Sequence, residues 1–232
     1  MRCLPLALVT GSLWLSLTTP GRTDEPQWVK LFNGTDLSGW RCDTNYWSVQ
    51  DGAITAQTTP EKLLTYNTFC IWEGGEPANF QLRLKFRIVG GNSGVQYRSR
   101  VIDEAKYVVS GYQADIDSSP KYTGMNYEEK ARTFLAQRGE SVVIAKDGTR
   151  HVVTYADKDY LQKLAVRPEE WNDYLIVARG NHLQHFVNGV LTADVLDRET
   201  EKAAKSGVIA LQAHQGPPMI VQFKDIELLE QK

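Results

Sequence analysis

The chain has 232 residues, 42% hydrophobic and 23% charged, with a formal net charge of −2. That is enough apolar residue for one sizeable core and too little charge of one sign for a disordered chain. With no basic excess to neutralise phosphates, nucleic acid is excluded as an expected partner.

Met1-Arg2, the apolar run "CLPLALVTGSLWLSL" and the polar "TTPGRTDEPQ" follow the order of a secretory leader. Pro5, Thr10, Gly11 and Ser12 interrupt the run, which falls short of the roughly 20 residues a membrane span needs. Residues 1–23 therefore read as a signal peptide, cut between Thr18 and Asp24. Residues 24–232 read as one exported domain, periplasmic or extracellular, with no transmembrane segment. Cys3 belongs to the leader; Cys42 and Cys70 remain, either paired or as buried thiols. "NGT" at 33–35 is a glycosylation sequon, meaningful only in a eukaryotic host.

Further along, "WSVQDGAITAQ" (47–57) places Asp51-Gly52 between two alternating runs and predicts a hairpin. "FQLRLKFRIV" (80–89) alternates cleanly, with Phe80, Leu82, Leu84, Phe86 and Ile88 on the buried side. Strands are expected at 95–101, 107–116, 141–145, 150–154, 173–179, 182–187, 190–195, 207–213 and 219–229, with a type I′ turn at Asn188-Gly189. Helical signals are confined to "NYEEKARTFLAQ" (126–137) and one turn at "RPEEW" (167–171). Many strands at about ten-residue spacing, without intervening helices, predict an all-β, antiparallel two-sheet jelly-roll sandwich.

Several of these strands begin apolar and end polar. In "GYQADID" (111–117), Tyr112, Ala114 and Ile116 share one face, and Gln113, Asp115 and Asp117 the other. "GNSGVQYRSR" (91–100) separates Val95 and Tyr97 from Gln96, Arg98 and Arg100. The change from even to odd apolar positions after "GGNSG" predicts a glycine bulge that aims Asn92 and Gln96 at the same groove. "SGVIALQAHQG" (206–216) ends its strand at His214. Directional donors and acceptors beside aromatic rings suit a sugar, so a carbohydrate is the expected partner. Asp115 and Asp117, about 7 Å apart on one face, fit between the carboxyl separations of retaining and inverting glycosidases. Asp117 reads equally as the cap of the turn that begins there and runs through Ser118 and Ser119 to Pro120. His182 and His185 fall on opposite faces and no zinc spacing occurs, so no metal or other cofactor is expected; a divalent ion on Asp115 and His214 has no motif behind it. No nucleophile elbow, phosphate loop or dinucleotide fingerprint is present.

"LFNGTDLSGW" (31–40), "FQLRLKFRIVGGNSGVQYRS" (80–99), "GYQADID" (111–117), "EEWNDYLIVARGNHLQHFVNG" (169–189) and "GVIALQAHQGPPMIVQFKDIEL" (207–228) resemble, in order, the motifs of the 3-keto-disaccharide hydrolase family. The resemblance covers nearly the whole mature chain. It implies a concanavalin A-like or laminin G-like jelly roll, export, and action on glycosides already oxidised at C3. A 3-ketone acidifies the C2 proton, so a modest base can remove it and expel the C1 aglycone, after which water adds. Carried onto this sequence, the resemblance implies Asp115 or His214 as base and Glu128, in the segment 126–140 that covers the groove, as acid. Arg98 or Arg138 would bind the enolate or a hydroxyl, and Gln113, Asn92 and Gln96 would position the sugar. The competing expectations are a non-catalytic carbohydrate-binding module and a conventional glycosidase on unoxidised glucans.

Overall fold

The computed structural model describes residues 27–231; the leader expected over 1–23, with Cys3, lies outside the described residues. In chain order the strands are β1 (Val29–Lys30), β2 (Trp40–Arg41), β3 (Trp47–Gln50), β4 (Ala53–Gln57), β5 (Thr68–Trp72), β6 (Phe80–Val89), β7 (Asn92–Asp103), β8 (Val108–Asp117), β9 (Asn126–Glu129), β10 (Thr133–Ala136), β11 (Glu140–Ile144) and β12 (Arg150–Thr154). After the helix α1 (Lys158–Ala165) follow β13 (Asn172–Arg179), β14 (His182–Val187), β15 (Val190–Asp197), β16 (Val208–Ala213) and β17 (Ile220–Glu230).

These strands make the expected jelly-roll sandwich. A ten-stranded sheet runs β12-β11-β15-β14-β13-β6-β17-β4-β3, with β1 also on β17, and a seven-stranded sheet runs β10-β9-β8-β7-β16-β5-β2. Pairing is antiparallel throughout except between β11 and β15, which run parallel. The alternation read in β6 is the core pattern: Phe80, Leu82, Leu84, Phe86 and Ile88 are at most 4% exposed. They meet Val95, Tyr97, Tyr112, Ala114 and Ile116 of the smaller sheet. Each such large side chain withdrawn from water contributes about 1.5–3 kcal/mol. Both predicted tight turns form, with positive φ at Asp51 (50°) and Gly52 (71°), and at Asn188 (48°) and Gly189 (78°).

Three expectations are corrected. The glycines after β6 do not bulge a single strand. Gly90 and Gly91 (φ 69° and 66°) carry the chain from the larger sheet to the smaller one, and that crossing reverses which parity faces the core. A Cβ at Gly90 would lie 2.6 Å from the Pro218 carbonyl oxygen. Second, 126–137 is not helical but the hairpin β9–β10. In β9 the inward positions are the polar Asn126 and Glu128, so that strand carries no hydrophobic period of 2. Third, the helix lies at 158–165, where the Asp157 carboxylate caps the Asp159 and Tyr160 amides (3.0 and 2.8 Å).

Two buried groups are structural. His185, fully buried, stands between the Tyr97 hydroxyl (Nε2, 2.9 Å) and the Met125 carbonyl (Nδ1, 3.2 Å). The carbonyl only accepts, so Nδ1 carries the proton and Nε2 accepts from Tyr97. Burial lowers its pKa to about 3, against the smaller opposing pull of the Met125 carbonyl. The stability it contributes is thus complete above its unfolded value of 6.5 and is lost as pH falls towards 3. Cys42, one step beyond the Arg41↔Ile71 pair, comes opposite Cys70; both are buried free thiols, and burial, with Cys42 beside it, pushes the Cys70 thiol up.

Candidate functional site

The site forms on the face of the smaller sheet that points away from the core, because one end of that sheet folds back over it. Register shifts between Tyr97 and Arg100, and between Val101 and Asp103, bend the β7–β8 hairpin. Gly111 (φ 151°) lets the strands close: a Cβ there would lie 2.6 Å from Ser99 Cα. The hairpin tip reaches β5, where the Phe69 amide donates to the Tyr107 carbonyl (3.0 Å) and Thr68 Oγ1 to the Lys106 carbonyl (3.0 Å). Val108 and Val109 pack on Phe69, Ile71 and Ala210, a second small core on the outer face. The part of that face next to it is polar.

Alternation and register decide which side chains arrive there. On β8 they are Gln113, Asp115 and Asp117; across the ladder stand Gln96, Gly94 and Asn92 of β7, and on the other side Tyr127 opposite Gln113 and Glu129 opposite Gly111. Gln212 of β16 stands opposite Phe69. Gln96, Gln113, Asp115, Gln212 and Glu129 are each no more than 5% exposed, which makes this a dry polar cluster rather than a solvated strand face. A chain of short contacts joins it: Gln96 to Gln113 at 2.6 Å, Gln113 to Asp115 Oδ1 at 2.6 Å, and Gln113 to Gln212 at 3.5 Å. Gly94 makes room for it, since a Cβ there would come within 2.5 Å of Gln113 Cγ. Asn67, just before β5, donates to Glu129 Oε1 (3.2 Å) and accepts from the Gln215 amide (3.0 Å), tying the loop after β16 to the cluster.

Burial is the main force on Asp115. It holds the carboxyl well above the usual carboxylate range, reinforced by the negative charges of Glu129 and Asp117. The Tyr127 hydroxyl is pushed up by burial and by Glu129 and Asp115. A buried carboxyl beside amides and a second carboxylate can exchange hydrogen bonds with sugar hydroxyls and can act on an oxygen that gains charge.

Of the residues singled out from the sequence, Gln96, Gln113 and Asp115 come together here. Asn92 shares their face, opposite Asp117 at the end of the ladder, and makes no side-chain hydrogen bond among the described residues. His214 sits at the rim, half-buried, its Nδ1 against the Gln215 carbonyl and with no hydrogen bond to Asp115. Asp117 is the turn cap: its Oδ1 accepts from the Ser119 amide (2.6 Å). This leaves the Asp115–Asp117 glycosidase pair without one free member.

Glu128, Arg98 and Arg138 are elsewhere. Glu128 pairs with Tyr112 in register and so points to the core side, where Arg132 holds it (2.6 Å). The Arg98 guanidinium donates to the Ala78, Gly180 and Ala204 carbonyls, and that of Arg138 to the Lys158, Pro120 and Thr123 carbonyls. Both arginines are buried clamps that tie loops together, their donors consumed by backbone. The sequence alone assigned no site role to Glu129, Gln212, Asn67 or Tyr127. Reading 126–129 as a strand would have put Tyr127 and Glu129 on the Gln113 face.

The sequence model of one family, described as the 3-keto-alpha-glucoside-1,2-lyase-like domain, matches residues 27–229. Among solved structures, a Parabacteroides distasonis protein provisionally named a glycosyl hydrolase aligns with TM-score 0.57 and 19% identity, over 88% of this chain and 100% of its own. A galectin-like protein of unknown function from Bacillus subtilis aligns with TM-score 0.55 and 7% identity, over 84% of this chain and 90% of its own. The carbohydrate-binding module CBM66 from Bacillus subtilis aligns with TM-score 0.53 and 12% identity, over 83% and 96%. At these identities the likeness is one of fold. No curated protein matches this sequence.

Proposed function

The chain belongs to the 3-keto-alpha-glucoside-1,2-lyase-like family, and on that premise we propose that it is an exported enzyme that cleaves 3-keto-glycosides by elimination across C1–C2 followed by addition of water. The observation that carries this reading is the buried Asp115, linked to Gln113 and Gln96 and facing Glu129 on a dry polar patch. A buried acid joined to a chain of amides suits a reaction that builds charge on a ketone oxygen better than a sugar-binding groove alone.

The 3-ketone makes the chemistry accessible to modest groups. A base removes the C2 proton, and the electron pair moves into C2=C3 as the C3 oxygen gains charge. When the ketone re-forms, the C1–O bond breaks and the aglycone leaves as an alcohol. Water then adds, its oxygen to C1 and a proton to C2. The groups available at the patch are Asp115, Glu129 and the rim imidazole of His214, with the amides of Gln113 and Gln212 as donors to the sugar. Bound metal is no part of this scheme.

The test is a chromogenic 3-keto-glucoside beside its unoxidised parent. Release from the keto substrate alone is the expected result. Release from the parent at a comparable rate would assign a conventional glycosidase, and binding of both sugars without release would assign a binding module.

A further inference from the structure

We propose that Asp115 carries its proton in the ligand-free protein and acts as a hydrogen-bond donor to the C3 oxygen of the substrate, so that the C2 proton is taken by another group of the site. The catalytic half of this inference rests on the function proposed above; the location of the proton does not.

The position of that proton is set one strand away. The oxygen and nitrogen of an amide are told apart by their partners. One terminal atom of Gln96 lies 2.7 Å from Ser99 Oγ, 3.2 Å from the Tyr112 carbonyl oxygen and 3.3 Å from that of Gly111. Backbone carbonyls only accept, so this atom is the amide nitrogen. The Gln96 oxygen is then the atom 2.6 Å from Gln113, which must present its own nitrogen to it. That leaves the Gln113 oxygen 2.6 Å from Asp115 Oδ1. Two oxygens at hydrogen-bond distance need a proton between them, and an amide oxygen has none to give; it comes from the carboxyl. The direction of the whole chain is therefore set by two carbonyls of the β8 backbone. Reversing Gln212 in the same sense turns its Nε2, otherwise buried and without a partner, towards the Gln113 oxygen at 3.5 Å.

The surroundings agree. Asp117 on β8 and Glu129 on β9 face Asp115 as negative charges, and burial acts in the same direction. β7 contributes Asn92, Gly94 and Gln96, and β16 contributes Gln212, none of which titrates. From β13 the Tyr174 hydroxyl donates to the Asp115 backbone carbonyl (3.3 Å). Tyr127 lies beside Gln113, Lys130 is held at 3.9 Å from Glu129, and His214 stands at the rim. No cation contacts the Asp115 carboxyl among the described residues.

A carboxylic acid kept neutral so that it can donate to a developing enolate is an established arrangement. Here a turn of the carboxyl about χ2, a soft torsion, carries the O–H from Gln113 to the substrate. The base, Glu129 or His214, takes the C2 proton and passes it to the departing aglycone oxygen. It then takes a proton from the water whose oxygen bonds to C1 and returns it to C2. Atoms balance, the base is regenerated, and Asp115 keeps its proton throughout. Gln96 and Gln113 are positioning residues in this scheme.

The direct experiment follows the side-chain carboxyl carbons of ¹³C-aspartate-labelled, ligand-free protein through a pH titration, with Asp115 assigned by its absence in Asp115→Asn. The expected result is an Asp115 signal in the protonated-acid position at neutral pH. A carboxylate signal at pH 7 overturns the proposal. Gln113→Met gives a second readout whose sign is decisive. Losing an acceptor for the carboxyl proton moves the Asp115 titration to lower pH; had Gln113 been donating to a carboxylate, its loss would move the titration to higher pH. Neither readout needs a substrate, so a protein inactive on 3-keto-glucosides would refute the proposed function and leave the proton assignment standing or falling on its own.

Discussion

Asp115→Ala is expected to lower cleavage of a 3-keto-glucoside by about 10²–10³-fold, the usual loss when one preorganised donor to an oxyanion is removed. Asp115→Asn is expected to keep most of the activity, because its amide N–H can still donate to the C3 oxygen. A catalytic base would behave otherwise: both variants would then lose about 10²–10⁴-fold alike. The stability of Asp115→Asn should move in the opposite sense to what a lost ion pair would give. The folded pKa of Asp115 is raised above the ordinary value of 3.8. Its favourable contribution is thus complete at pH below that value and declines as pH rises towards the folded pKa. Thermal denaturation at several pH values should show Asp115→Asn more stable than the parent at pH 7, with the difference vanishing near pH 4.

Arg132→Met should be the most destabilising of the ion-pair changes, at about 3–5 kcal/mol by urea unfolding, since it strands buried carboxylates. Arg132 donates to Glu128 (2.6 Å), Asp197 (2.7 Å) and Glu199 (2.9 Å), and the Tyr112 hydroxyl adds a bond to Asp197 (2.6 Å). The side chains of Glu128 and Asp197 are 6% and 1% exposed, so water cannot replace the guanidinium. The comparison is Arg83→Met. Arg83 also pairs with a carboxylate at 2.6 Å, but with its side chain 49% exposed, and it should cost no more than about 1 kcal/mol. Equal losses in the two variants would mean that burial does not govern these pairs. Tyr112 ties this network to the site from behind, because its neighbour Gln113 points the other way. A loss of activity in Arg132→Met would therefore accompany the loss of stability.

The sandwich was legible because β6, β13 and β14 alternate buried and less buried residues without interruption. β6 and β14 lie where the alternation placed them, and the two tight turns are written in Asp51-Gly52 and Asn188-Gly189. β1, β2 and β5 were passed over. The first two are two residues long, too short for any period, and β5 is covered on one face by the main core and on the other by the curled hairpin, which leaves "FCIW" without polar alternation. Half of the site was legible for the same reason as the fold: in β8 the alternation separates Tyr112, Ala114 and Ile116 from Gln113 and Asp115. The row of acceptors at the end of that strand divides in two, Asp117 closing a turn and Asp115 joining an amide chain. The rest was hidden by charge. Arg98, Glu128 and Arg138 look like ligand-binding groups in a sequence, yet each is consumed inside the protein, by carbonyls or by Arg132. Glu129, one position from Glu128, faces the site, and a single-residue difference of phase between helix and strand decides which of the two is seen.

Elimination is the step on which the proposed chemistry depends, and it leaves a mark on carbon 2. The 3-keto-sugar released from a 3-keto-glucoside in deuterium oxide should carry deuterium at C2, measured by mass spectrometry and proton NMR against the same sugar incubated without protein. Hydrogen retained at C2 after full turnover would mean that the C1–O bond is broken without removal of the C2 proton, and would contradict the mechanism built on Asp115.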